Sequence, residues 1–262
     1  GDQNQLPAYA DAEVSPTLAK LTKNPDFRLF DILYNSLPDT HKQILTTQYR
    51  MIENIGNLIS KVFYRGIIDT GCNDDEKRHG LNRYVGKSIV WFDTSANKKK
   101  SQKRTKGGSY INEEEKRIIL EILDDLKSTG ELKGLDIGII TGYSGQKELL
   151  RKSIKATGLD KIASKIDINT LDAFQGREND IIIYSTVRTR DSIGFQKEKE
   201  RVNVAFSRAK KLLIVCGDKN FFYNFDDQDN KFVEIIDYIS EGEECEIIQC
   251  DGGKLFERES NS

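Results

Sequence analysis

The stretch Arg201 to Lys210, RVNVAFSRAK, holds two arginines seven positions apart, between a polar loop and the apolar run LLIVCGD. Seven residues are about two helical turns, so a helix here puts Arg201 and Arg208 on one face with small Ala205 between them. Val202, Phe206 and Ala209 then pack inward. Two guanidiniums on a small-residue face suit a polyanion, since each offers a rigid fork of donors to phosphate oxygens. The competing reading is a helix with two solvated arginines.

Other chemistry-bearing groups are weaker. Gly80 to Ser88, GLNRYVGKS, imitates a phosphate-binding P-loop. It has one residue too many between its glycines and leads into a strand. A P-loop needs a helix N-terminus to receive the phosphates, so it is rejected. Asn97 to Lys106, NKKKSQKRTK, has six Lys/Arg in ten residues. It reads either as a nucleic-acid contact or as a solubilising exposed loop, and it lacks interleaved aromatics. Cys72, Cys216, Cys245 and Cys250 include no CxxC pair, and His41 and His79 have no ligand companions. No metal site is expected, and the cysteines read as reduced thiols of a cytoplasmic protein.

Positioning these groups requires regular elements. Ser88–Asp93, Asp136–Thr141, Ile166–Thr170, Asp180–Val187 and Leu212–Cys216 read as strands, and Asp180–Val187 is apolar without clean alternation, as a central parallel strand should be. Helices are expected after Met51, over Glu113–Ser128 capped by Asn112, over Gly145–Thr157, at Arg201 and over Lys231–Ser240. The alternation predicts a three-layer α/β domain with a mainly parallel sheet, binding ligands beyond the carboxyl ends of its strands. The expected division is a connector over 1–40, the main domain over 41–240 and an acidic tail over 241–262.

Composition agrees with an ordinary globular chain: 37% hydrophobic and 31% charged among 262 residues, with no apolar run of membrane-spanning length. The net charge of −2 conceals an asymmetry. Asp226 onward carries 12 acidic and 3 basic residues, a balance of −9, leaving +7 for the preceding residues. A mildly basic body is compatible with nucleic-acid binding. The opening GDQNQLP reads as a loop following a strand, so a fragment of a longer protein is expected.

GDQNQLP, QYRM, TGYSGQ, TLDAFQGREND and RVNVAFSRAK, in this order, resemble motifs III to VI of superfamily-one helicases, in the nonsense-decay and senataxin branch. The resemblance covers residues 1 to about 218. It implies the second of two RecA-like domains that hydrolyse ATP with Mg2+ in their shared cleft and move along single-stranded DNA or RNA. The Walker motifs would belong to the first domain of the same polypeptide, and this chain alone is expected to be inactive as an ATPase. Arg208 resembles the arginine finger at the γ-phosphate. Arg50 resembles a second cation there, and Gln5 the residue that senses the γ-phosphate or its water. Tyr49 is a candidate neighbour of the adenine or simply a packed aromatic. Gly176 would let a ligand approach the backbone, and Glu178 would accept from the ribose hydroxyl. Thr170 and Asp172 resemble the part facing the nucleic-acid backbone. Thr141, Tyr143 and Ser144 are candidates for backbone contact and base stacking. Two positions depart from the pattern: Gly142 replaces a proline, and Ile52-Glu53 replaces His-Pro. The alternative is a non-enzymatic helicase-like module that only binds nucleic acid or protein.

Overall fold

In the computed structural model, six parallel strands form one sheet: β3 (Ile89–Asp93), β6 (Asp136–Thr141), β7 (Lys165–Thr170), β8 (Asn179–Ser185), β9 (Ala209–Gly217) and β10 (Cys245–Gln249). Two short pairs stand apart, β1 (Thr47–Gln48) with β2 (Asp69–Thr70) and the hairpin of β4 (Gln102–Arg104) with β5 (Tyr110–Asn112). The described residues are 2–6, 29–97, 101–131, 136–159 and 165–256. Most of the connector expected over 1–40, from residue 7 to 28, and the lysines at 98–100 lie outside them.

The sheet order is β10-β3-β9-β8-β6-β7. Because side chains alternate across a strand, each strand feeds two cores. Ile89 and Trp91 face one core, with α2 (Glu53–Phe63), α6 (Lys199–Phe206) and α8 (Phe232–Glu241). Val90 and Phe92 face the other, with α4 (Glu113–Ser128) and α5 (Ser144–Thr157). The remaining α-helices among the described residues are short: α1 (Leu29–Ser36), α3 (Asp74–Lys77) and α7 (Lys219–Tyr223). The result is the expected three-layer, RecA-like architecture. Covered on both faces, β8 and β9 have no reason to alternate apolar with polar residues, and they do not.

Three expectations change. Residues 245–249, assigned to an acidic tail, form the edge strand of the sheet, in register with β3. Ile247 packs against one core and Ile248 against the other, so the sheet runs past position 240. The lysine-rich run is not all exposed loop. Gln102 is buried, and its side-chain oxygen accepts from the Thr189 N–H at 2.9 Å. Arg208 lies beyond α6, which ends at Phe206, so it does not share a helical face with Arg201.

The rejected P-loop contains a 3-10 turn over Asn82–Tyr84 and then enters β3. Lys87 there donates to the carbonyls of Glu243 and Cys245 at 2.8 and 3.2 Å, fastening the start of β10.

Candidate active site and nucleic-acid interface

Strand order separates the candidate residues into two groups. Gly176 and Glu178 precede β8, and Arg208 precedes β9, so all three lie at the amino-terminal edge of the sheet. Thr141, Ser144, Thr170 and Asp172 end or follow β6 and β7, at the carboxyl edge. Only the second group obeys the expectation that ligands sit beyond the carboxyl ends.

At the amino edge, Gln48 accepts from the backbone N–H groups of Arg50 and Met51, both at 2.8 Å, fixing the turn after β1. The Arg50 Nε then donates to Glu178 Oε2 at 2.6 Å, and its Nη1 donates to the Ser207 carbonyl at 3.2 Å. Arg50 holds the Glu178 carboxyl below its ordinary pKa. The pair is 34% and 46% exposed, so its worth to stability is under about 1 kcal/mol. Glu178 thus engages Arg50, and a ribose hydroxyl would have to compete for it.

Arg208 is 2% exposed. Its guanidinium donates to the Val204 carbonyl at 3.0 Å, Gln5 Oε1 at 2.9 Å, Ser207 Oγ at 3.3 Å and the Arg177 carbonyl at 3.4 Å. All these acceptors are neutral. Among the described residues no carboxylate comes within ion-pair distance of it. Burial, and then the neighbouring Arg50 charge, push its pKa down to about 10. A buried cation facing a like charge is costly, and an anion placed between the two would relieve both effects. Arg50, Arg208 and Gln5 are therefore brought together.

Residues 2–6 reach this place by docking on α6 and the end of α2. Asn203 donates to the Asn4 carbonyl at 2.6 Å, and Tyr64 donates to Asp2 at 2.5 Å. Tyr49 is 69% exposed, so it is not a packed core aromatic. Its ring rests against Gly71, where a Cβ would come within 2.4 Å of ring carbon Cε1. Gly176 has φ +81 and open space around it. Its backbone conformation favours glycine, and the space leaves room for a ligand.

The carboxyl edge departs further from expectation. Thr141 and Tyr143 are buried. The Tyr143 ring sits between Tyr110 and Phe195, with centroids at 5.5 and 5.7 Å, and is closed to an incoming base. Ser144 is exposed at the start of α5, and Thr170 is half-buried. The Asp172 carboxylate is exposed and accepts from Arg201 at 2.8 Å. Arg201 also donates to Glu198 at 2.8 Å, so it binds carboxylates rather than a free polyanion.

Sequence reasoning missed the groups that shape this edge. Three glutamates open α4. Glu113 and Glu114 form surface pairs with Lys116 and Arg117, as a first-turn charge should. Glu115 instead points under the carboxyl end of β8 and is fully buried. It accepts from Ser185 Oγ at 2.6 Å, Thr186 Oγ1 at 3.2 Å, the Val187 N–H at 2.9 Å and Asn112 Nδ2 at 3.0 Å. Val187 has φ +69, and the Arg188 N–H donates to the Thr186 carbonyl at 2.8 Å. This is a γ-turn of the uncommon hand centred on a β-branched residue, a strain of about 1–3 kcal/mol. No spacing rule signals such a turn.

The strand order and the helices on both faces define a RecA-like α/β domain. A family profile described as an AAA domain matches residues 26–220. An uncharacterised ATP-dependent helicase of Methanocaldococcus jannaschii is 32% identical over 93% of this chain. Helicase SEN1 of Saccharomyces cerevisiae is 34% identical over 83% of it, and a regulator of nonsense transcripts 1 homologue of Neurospora crassa 32% over 66%. The chain belongs to this AAA-domain family, in the superfamily-one helicase branch of Sen1 and the nonsense-transcript regulators. It spans only 35%, 10% and 16% of those three proteins' own lengths. A solved structure described as the C-terminal domain of a possible DNA helicase from Lactobacillus plantarum is 15% identical, with TM-score 0.38, over 65% of this chain and 88% of its own. The fold assignment rests on the strand order above. No helix among the described residues is long and apolar enough to cross a membrane.

Proposed function

We propose that this chain is the second motor domain of an ATP-dependent helicase or translocase acting on single-stranded DNA or RNA. The observation that carries the proposal is Arg208, a buried guanidinium with neutral partners only, set beside Arg50. A triphosphate held by a first RecA-like domain of the same polypeptide would supply the missing negative charge. Arg208 would act as the finger on the transferring phosphoryl group, with Arg50 as the second cation. Gln5 hydrogen-bonds Arg208 and is the candidate sensor of the γ-phosphate or its water. Glu178, released from Arg50, would accept from the ribose, and exposed Tyr49 would meet the base.

The fit to Mg2+ is different. Among the described residues, no group of three or more His, Cys, Asp or Glu could hold a metal. Ligands for Mg2+ would come from the first domain, and no step here runs through the ion. On the nucleic-acid side, Ser144, Thr170 and the backbone around Asp172 are the accessible groups. The four free cysteines support a reducing, cytoplasmic setting.

The test is Arg208→Ala in the natural polypeptide that joins this chain to a Walker-bearing domain. Nucleic-acid-stimulated ATPase should fall about 10³-fold or more, with nucleotide affinity nearly unchanged. Arg208→Lys should not restore it, because an ammonium lacks the fork. Turnover like the wild type would refute the finger. The chain alone should show no ATPase above background.

A further inference from the structure

We propose that Phe195 is a base-stacking residue for single-stranded nucleic acid, in the role that Tyr143 cannot fill; this rests on the nucleic-acid reading above. Phe195 is 50% exposed, although the residues around it are fixed. Ile193 is fully buried and Gln196 is 3% exposed. The Gln196 amide donates to the Thr186 and Ile193 carbonyls at 2.9 and 3.2 Å, and its oxygen accepts from Tyr184 at 2.9 Å. Gly194 between them has φ +63, and its N–H donates to Ser192 Oγ at 3.0 Å. The ring is thus held outward by anchored neighbours and is not the tip of a loose loop.

Its surroundings are those of a stacking platform. Behind it lies Tyr143, tilted at 47° with its centroid at 5.7 Å. The Arg201 guanidinium stands 5.3 Å from its centroid. Beyond Tyr143, the ring of Tyr110 carries the Arg188 guanidinium at 4.1 Å. Two arginines therefore end a row of three aromatics, and one ring in that row meets solvent by half its surface. Arg188 is itself 5% exposed, and its Nε has no hydrogen-bond partner. Arg201 ties the row to Asp172, and Tyr143 leads directly into Ser144, so Phe195 lies between the two accessible parts of the carboxyl edge. A base can lie on an exposed aromatic face whatever its identity, which suits a motor that must hold any sequence.

The test uses the chain itself and fluorescein-labelled oligo(dT) and oligo(U), each with an abasic strand of equal length. The wild-type chain should prefer the base-bearing strand. Phe195→Ala should weaken that binding about 5- to 100-fold and abolish the preference, with the salt dependence unchanged because no phosphate contact is lost. Phe195→Trp should bind like the wild type, and its fluorescence should be quenched by oligonucleotide. The native Trp91 is fully buried and should not respond. Half of the ring is already in water, so Phe195→Ala should keep the wild-type circular dichroism. Equal affinities of wild type and Phe195→Ala would overturn the stacking role and leave the wider reading intact. No oligonucleotide binding by the wild-type chain would overturn both.

Discussion

Removing the Glu115 carboxyl group should destabilise the chain by an amount that depends on what replaces it. In Glu115→Ala, the Val187 N–H and the Asn112 amide lose the acceptor they share. Each buried donor left without a partner costs about 1–3 kcal/mol, so the two together cost about 2–6 kcal/mol. The Ser185 and Thr186 hydroxyls can rotate and are not counted. Such a loss is large against a whole-domain stability of about 5–15 kcal/mol. Glu115→Gln keeps the shape. Its carbonyl can stand at the Oε1 position and accept from Val187, Thr186 and Asn112, while its amide faces Ser185 Oγ and also lies 2.9 Å from the Val187 nitrogen, a donor against a donor. That variant should cost about 1–2 kcal/mol, less than Glu115→Ala. A pH signature separates the two causes. Burial pushes the Glu115 carboxyl up to about 8, and its hydrogen-bond donors only partly offset this. A carboxyl raised in the folded state binds more protons than in the unfolded chain between about pH 4.5 and 8. Its contribution is therefore full at low pH and is lost as pH rises through 8, with a slope of at most about 1.4 kcal/mol per pH unit. Urea unfolding at pH 5.5, 6.5 and 7.5, followed by Trp91 fluorescence, measures both effects. The difference between wild type and Glu115→Gln isolates this one group from all others that titrate. A difference that does not change across the window would refute the titration argument. Glu115→Ala within 1 kcal/mol of wild type would refute the network.

Gly194→Ala should cost about 2–3 kcal/mol, because its Cβ would fall 2.1 Å from the Tyr143 hydroxyl at a positive φ; thermal unfolding checks this, and Tyr143→Phe should restore part of the loss. Gly138→Ala should cost about 1–3 kcal/mol by overpacking, since its Cβ would stand 2.6 Å from both Ile182 and Phe174; the same scan reads it. Glu178→Gln should change stability by under about 1 kcal/mol, as the exposed pair with Arg50 predicts, yet raise the KM for ATP in the intact motor; an unchanged KM would remove Glu178 from the nucleotide site.

Much of the fold could be read from local pattern. Asn112 caps α4 as expected, accepting from the Glu114 and Glu115 N–H groups. DIGIIT forms β6 with the expected ends, because a fully buried strand has little freedom in its composition. What stayed hidden depended on neighbours distant in sequence. CEIIQ was masked by surrounding acid, and only its pairing with β3 makes it a strand. Glu115 looked like its two surface neighbours and differs only in lying against β8. Tyr143 carries the aromatic expected at its motif, but Tyr110 and Phe195 enclose it. Phe195 is the one aromatic in an otherwise mostly polar stretch, RTRDSIGFQKEKER, a signal that could have drawn notice. For Arg208, sequence supplied the residue and not its place: the chain leaves the helix at Ser207, and that turn separates it from Arg201.

Helix α6 has one further consequence. Arg201 near its start is bonded to Asp172 at the carboxyl edge, and Arg208 just past its end is bonded to Gln5 at the amino edge. Residues 172–178 run beside this path, from Asp172 to Glu178, and Phe174 is buried in the same core. The two segments are joined again where Arg208 donates to the Arg177 carbonyl. Eight helical residues make a rod of about 12 Å, too short and too well packed to bend. Helix and companion segment therefore form a closed frame, joined by the Arg201–Asp172 ion pair at one end and by the Arg208 hydrogen bond to the Arg177 carbonyl at the other. A rigid-body shift of this helix would therefore move the Arg201–Asp172 contact at one edge of the sheet and the Arg208 contacts at the other edge together.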